Sequence, residues 1–202
     1  LTLQGGTESN GIGTNRLTVT GGTVTVTGGD GAPGTKETAG GSGSDAVGAN
    51  VITVTGGSLK LTGGKAGTDE GGGTGADGAA TIGTAITDGE KPLYQTVIQR
   101  TDKDNKTVAD TAVAALALSP DQTYGLQGVV TDETGSIYLY LPQETKTNAV
   151  SDGTETYTGA PIVSGESGIM TLSQNGGDSK PSEPETTTTA APTTETTAPT
   201  TT

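Results

Sequence analysis

Carboxylates, a few lysines, Arg16, Arg100 and five tyrosines make up the reactive side chains of this chain, since histidine and cysteine are both absent. The usual neutral-pH base and the thiol nucleophile are therefore missing. Carboxylate chemistry on sugars and the binding of a hard cation are what the remaining groups allow. Asp30, Glu37, Asp69, Glu70 and Asp77 are the candidate acids, and each lies in a glycine-rich stretch. Cleaving a glycosidic bond needs two carboxyls braced at a set separation, which glycine loops do not provide. These acids read as solvated loop residues, and no catalytic residue is assigned.

The metal and phosphate motifs fail in similar ways. Gly28-Gly29-Asp30-Gly31 has the opening of a calcium-binding glycine/aspartate unit, but the unit does not recur. Asp102-Lys103-Asp104-Asn105-Lys106 carries two alternate acids without the rest of an EF-hand loop. Both read as polar turns, so neither a metal nor a cofactor is expected. Gly11-Ile12-Gly13-Thr14-Asn15 lacks the further glycine of a dinucleotide loop, and no glycine run leads into Gly-Lys-Ser/Thr. Leu141-Pro142-Gln143-Glu144-Thr145 matches a sortase signal only in its first two residues and reads as a strand end. Asn105-Lys106-Thr107 is a formal glycosylation sequon, meaningful only in a eukaryotic secretory host.

An internal repeat is the element that would have to position any site. Leu17-Thr-Val-Thr-Gly-Gly-Thr-Val-Thr-Val-Thr-Gly-Gly29 returns as Ile52-Thr-Val-Thr-Gly-Gly-Ser-Leu-Lys-Leu-Thr-Gly-Gly64, an offset of 35 residues. An apolar-Gly marker at Ile12-Gly13, Val47-Gly48 and Ile82-Gly83 keeps the same offset of 35. Apolar residues alternate with threonine, which turns Leu17, Val19, Val24 and Val26 inward and Thr18, Thr20, Thr25 and Thr27 to solvent. Gly21-Gly22 fits either a hairpin turn or the corner of a stacked rung. The constant offset favours rungs, with Val19 beside Val54 and Val26 beside Leu61. The glycine-rich connections Asp30–Asp45 and Lys65–Asp77 are expected to be exposed and mobile.

After Asp88 the repeat fails, and all five tyrosines fall between Tyr94 and Tyr157. Strands are expected over Leu93–Gln99, Gly125–Thr131, Ser136–Leu141 and Ile169–Leu172, with a turn at Asp132–Gly135. The alanine-rich Thr111–Ser119 fits one or two helical turns or a short strand, and the strand is preferred. Tyr94, Tyr138 and Tyr140 offer rings for sugar stacking, although the alternation of Tyr138 and Tyr140 with Leu139 and Leu141 also describes a strand packed on one face. From Ser173 the chain is Ser, Thr, Pro, Glu, Ala and Gly, too polar to offset the entropy of ordering.

A net charge of −13 with scattered Lys and Arg argues against nucleic acid. No apolar run is long enough to span a membrane. The abrupt start at Leu1 and the threonine ending suggest a signal peptide and an anchor outside these 202 residues.

The Ile52–Gly64 segment, with its glycine-rich connection and Ile82-Gly83, resembles the β-helix repeats of large surface proteins of Gram-positive gut-type bacteria. Thr131–Pro142 is similar to the small β module that often follows such repeats, and the Thr/Pro end resembles a wall-spanning stalk. Related β-helix proteins include calcium-dependent, carbohydrate-binding members, but no ligand residue of theirs matches here.

The expected fold is all-β. It comprises a short right-handed parallel β-solenoid of about 35-residue repeats over 1–88, a small β-sandwich-like domain over 91–172 and a disordered Thr/Pro-rich stalk over 173–202. The resemblance implies a non-catalytic, extracellular, cell-surface or wall-associated adhesin-like display protein. The alternative is a polysaccharide-binding module, with calcium as a possible aid and extracellular glycans or surface polymers as partners. For the tail, hydrogen exchange of the full chain should show amides of Pro181–Thr202 exchanging at unprotected rates, and slow exchange there would contradict the compositional reading.

Overall fold

The computed structural model describes residues 1–68, 73–166 and 168–174, which contain strands and turns and no helix. Asp69 and Glu70, and the tail from Pro181, lie outside the described residues. Six strands occupy the repeat region: β1 (Thr2–Gln4), β2 (Ile12–Gly13), β3 (Arg16–Thr27), β4 (Val47–Gly48), β5 (Val51–Thr62) and β6 (Ile86–Thr87). All of their pairings are parallel, in the orders β1-β3-β5-β6 and β2-β4.

The register follows the sequence repeat. Val19 pairs with Val54 and Val26 with Leu61, and the strand runs through Gly21-Gly22 rather than folding back there. A hairpin is thereby ruled out. Gly22 and Gly57 adopt φ of 77° and 89°, which glycine tolerates at no steric cost, and the register shifts at that corner. Val19, Val26, Ile52, Val54 and Leu59 are buried together with Ala46, Val47 and Ala49, so the core is thin and aliphatic. One marker slips: Val47 bridges Thr81, not Ile82, and Ile82 is exposed. The span from Thr62 to Thr81 is one residue shorter than that from Thr27 to Val47, which accounts for the slip.

The glycine-rich connections correct the expectation of loose loops. Gly28, Gly31 and Gly34 donate backbone N–H bonds of 2.8–2.9 Å to Thr62, Lys65 and Thr68 of the next copy. Gly40, Gly43 and Ala46 do the same to Gly73, Ala76 and Ala79. Within and between copies the outgoing and returning segments cross-link as well, by Gly41 to Ala32, Ser44 to Gly29, Gly64 to Ser44, Gly67 to Gly41 and Gly78 to Gly64. A chain that bonds to each neighbour at every third residue has the threefold repeat of polyproline II, and glycine at the third position permits backbones to touch.

Packing in this layer leaves no room for side chains. A Cβ on Gly29 would overlap the carbonyl of Gly6, and one on Gly64 the carbonyl of Gly29. Asp30 accepts the Lys65 amide at 2.8 Å, Asp77 that of Ala66 at 2.7 Å and Asp45 that of Ala79 at 2.7 Å. These short acids satisfy backbone donors that the glycine ladder leaves over. Among the described residues the tip at Thr35–Ala39 is exposed throughout, and so is most of Gly73–Ala80, as expected for these connections.

Six further strands form one mixed sheet in the order β8-β10-β11-β12-β7-β9: β7 (Leu93–Thr101), β8 (Ala115–Ser119), β9 (Ser136–Pro142), β10 (Lys146–Ser151), β11 (Thr156–Val163) and β12 (Ile169–Ser173). In place of a second sheet, the inner face of this module is covered by chain segments that include Val113, Tyr124, Leu126 and Val129. Gly125–Thr131, expected as a strand, makes only isolated bridges at Gly125 and Val130. The turn at Asp132–Gly135 is present, with the Gly135 amide bonded to the Asp132 carbonyl at 2.9 Å.

Arg100 is the largest fully buried side chain. Its guanidinium bonds to the Ala112 carbonyl and to Asp152, both at 3.0 Å, and lies 4.0 Å from the Tyr157 ring centroid. It ties central β7 to the turn between β10 and β11.

For the glycine layer, Gly64→Ala should lower stability by about 2–4 kcal/mol or prevent folding, since the overlapping neighbour is backbone that cannot rotate away. Gly13→Ala, with open space at its Cβ position, should change it by less than about 1 kcal/mol. Urea unfolding of the two variants checks the contrast, and equal effects would refute the close-packed layer.

Candidate functional site

Parallel pairing in register stacks like residues on like. Thr18 lies beside Thr53, and Thr53 beside Thr87; further along, Thr2, Thr25 and Lys60 form one row and Gln4, Thr27 and Thr62 another. Thr18, Thr20 and Thr55 are exposed and Thr53 half-buried, and none of these four hydroxyls makes a hydrogen bond among the described residues. The spacing is about 4.8 Å between rungs and about 6.6 Å between alternate residues on a strand. Of the four, Thr18 and Thr53 are register partners, whereas Thr20 pairs with Gly56 and Thr55 falls at the register shift, so the unbonded hydroxyls form a short patch around one stacked pair.

The second module closes one side of this patch. Tyr138 and Tyr140 on β9 turn their edge amides outward, where Ser58 Oγ accepts from Tyr138 at 3.0 Å and Tyr124 OH accepts from Tyr140 at 3.3 Å. Tyr124 in turn donates to the Gly57 carbonyl at 2.8 Å, and burial pushes its phenol up to about 12. Thr23 Oγ1 exchanges two bonds with Val130, and Gly22 donates to Gln127 at 2.7 Å. The Gly-Gly corners are thus the surface on which the module sits, and a Cβ on Gly56 would overlap the carbonyls of Gly125 and Thr20, and one on Gly125 the carbonyl of Thr20.

A charged cluster spans the same seam. Lys60 Nζ is 3.1 Å from Asp132 Oδ2 and 4.9 Å from the Tyr138 ring centroid, and the Tyr138 hydroxyl donates to Asp132 Oδ2 at 3.0 Å. Asp132 Oδ1 also accepts from the Thr134 amide, the Thr134 hydroxyl and the Ser136 amide. Burial alone would raise the Asp132 carboxyl, but these hydrogen bonds and Lys60 outweigh it and hold it at about 2. Burial also works against the Lys60 ammonium, which its bonds with Tyr138 and Asp132 nonetheless keep above the ordinary lysine value. An ionised carboxylate beside an ammonium makes a structural clamp, with neither group poised as an acid or base at neutral pH.

On the same seam lies a cleft of about 100 Å³ between Thr55 of the repeat and Gln122, Thr123, Tyr124 and Tyr140 of the module, with Asp88 also in its lining. Larger grooves of about 220 and 190 Å³ lie along β8 and β10, the first lined by Ala117, Ser119, Lys146, Thr147, Asn148 and Pro161, the second mainly by Ala115, Leu116, Ala117 and Ala149. Both present mostly apolar atoms, whereas the seam cleft gathers a carboxylate, an amide and hydroxyls in more even balance with its apolar wall.

The residues singled out from the sequence do not converge on one site. Asp30 and Asp77 serve the glycine layer, and Glu37 sits at its exposed tip. Arg16 begins β3 in the open, while Arg100 is buried. Tyr138 and Tyr140 share one face of β9 with their rings in the seam, and Tyr94, paired with Leu141, lies on the opposite face, so the three rings form no platform. Asp102–Lys106 closes a turn in which Asp102 Oδ1 accepts two backbone amides. Leu141 and Pro142 end β9, followed by a turn through Glu144 and Thr145. Among the described residues no three acidic, histidine or cysteine side chains come together in a metal-binding group, and no helix is long and apolar enough to cross a membrane. The seam residues Ser58, Gln122 and Tyr124 carry no motif of their own in the sequence.

No protein-family profile matches the chain, and neither the curated proteins nor the solved structures yield a match.

The acid side of the stability curve tests the clamp. A carboxyl depressed to about 2 contributes stability that is complete above the ordinary aspartate range and is lost as pH falls from about 4 towards 2. Asp152 and Asp88, lowered chiefly by backbone amides, act in the same direction. Asp132→Asn should therefore lower the melting temperature at pH 7 and make its fall between pH 4 and 2 shallower without abolishing it. An unchanged slope would remove Asp132 from the account.

Proposed function

We propose that the chain is a non-catalytic display region of an adhesin-like, extracellular cell-surface protein. In this reading the repeat strands are those of a short right-handed parallel β-solenoid, the single-sheet module that runs through Ser173 is a cap on the stack, and the Thr/Pro-rich end beyond it is a stalk that holds both away from the wall. The observation that carries it is the stacked pair of unbonded hydroxyls of Thr18 and Thr53, flanked by Thr20 and Thr55, on a backbone held by parallel hydrogen bonds. A periodic face engages a periodic polymer weakly at several points, and the sum gives useful avidity. The acidic balance, −13 over the chain, disfavours polyanionic partners and leaves neutral glycans as the matching class.

Incubating the purified chain with insoluble neutral and uronate polysaccharides, with and without calcium, and following retention and reducing ends separately, tests the proposal. Retention on a neutral polymer is expected, with no new reducing ends, and Thr18→Val with Thr53→Val should weaken it about tenfold or more, since each lost hydroxyl contact contributes about 0.5–1.5 kcal/mol. New reducing ends released by the chain would overturn the non-catalytic reading, and retention indifferent to the double variant would overturn the threonine face.

A further inference from the structure

We infer that the seam cleft is a subsite for one neutral sugar unit, recognised through vicinal hydroxyls, at the end of the threonine patch; this rests on the glycan-binding reading above. Thr55 belongs to both places. It is the outward neighbour of Thr53 on β5 and also a wall of the cleft. Thr87 stacks beside Thr53 and is followed at once in the chain by Asp88, which lines the cleft. A polymer lying across Thr18 and Thr53 towards Thr87 therefore comes within reach of the cleft.

The polar groups there have capacity to spare. Asp88 Oδ1 accepts the Glu90 and Lys91 amides at 2.9 and 2.7 Å, while Oδ2 makes no bond among the described residues. Gln122 donates from Nε2 to Thr145 at 3.0 Å, which fixes the amide and leaves its carbonyl oxygen unbonded. The Thr55 and Thr123 hydroxyls are also without partners among the described residues. A carboxylate with a free oxygen, a fixed amide oxygen and two hydroxyls are the complement of adjacent sugar hydroxyls, which donate and accept at once. Leu93 and Pro142 supply apolar wall for the ring's carbon face. At about 100 Å³ the open cleft is too small for a chain segment and would take part of a single unit, the rest remaining in solvent.

Nuclear magnetic resonance titration of the full chain with cellohexaose, mannohexaose and chitohexaose, read at each backbone amide, tests the inference. At least one oligosaccharide should shift Thr55, Asp88, Gln122 and Thr123 together with Thr18 and Thr53. Thr123→Ala, which removes no bond among the described residues, should weaken binding about threefold to tenfold without lowering the melting temperature, and Asp88→Asn should weaken it further. Shifts confined to the threonines would overturn the subsite and leave the face intact. Shifts in the cleft alone, unaltered by Thr18→Val, would keep the site and remove the face. No shift with any of the three would overturn both.

Discussion

Everything in the repeat region depends on one contact, the parallel backbone hydrogen bond that joins each copy of the repeat to the next. On the strand side it is the familiar ladder, and branched side chains fill the pleat. On the glycine side the same rung-to-rung spacing has to be kept by chains with no pleat and no apolar side chains to bury. Gly28, Gly31, Gly34, Gly40 and Gly43 maintain it by bonding backbone to backbone. Their missing side chains are the condition for the contact. The thin aliphatic core is adequate because the glycine layer removes backbone from water along the full depth of the stack.

The second module completes what the stack lacks. A parallel sheet ends in unpaired edges, and an open edge invites further pairing. At the β5 side, hydroxyls from Ser58 and Tyr124 meet the outward amides of β9, while Lys60 and Asp132 clamp the same boundary. Leu93 and Tyr140 join the repeat's own core. The clamp's electrostatic part is modest, since partly exposed ion pairs contribute about 0–1 kcal/mol. Its local hydrogen bonds and the packing beneath it matter more.

The alternation of Leu17, Val19, Val24 and Val26 with threonine, and the two markers at a constant offset, made the strand register and the stacked pairs readable from the chain. What misled was the meaning of glycine. In Asp30–Asp45 it read as mobility, because single glycines carry freedom, yet Gly28, Gly31 and Gly34, then Gly40 and Gly43, recur every third residue. That period of three was the available signal for bonded, threefold chains. The strands β10 and β11 escaped because Lys146-Thr-Asn-Ala-Val-Ser and Thr156-Tyr-Thr-Gly-Ala-Pro lack sustained alternation and take their order from tertiary pairing. Val129-Val130 drew the opposite error, since their segment is held by the Gly-Gly corners and not by a strand partner. The seam cleft was hidden for a related reason: Thr55, Asp88 and Gln122 are brought together only by the docking of the module.

The display role proposed above calls for a scaffold that holds its spacing, since a weak multipoint surface keeps its avidity only if its points do not move apart. The backbone bonds of the glycine layer join the repeat copies where unbonded loops would let them drift. Residue-resolved amide hydrogen exchange on the intact chain addresses this directly. Gly28, Gly31, Gly43 and Gly64 should exchange slowly, with protection close to that of Val19 and Val54, as one cooperative unit. Exchange of those glycine amides at unprotected rates, while the strand amides stay protected, would show loose loops hung on a sheet and contradict the account.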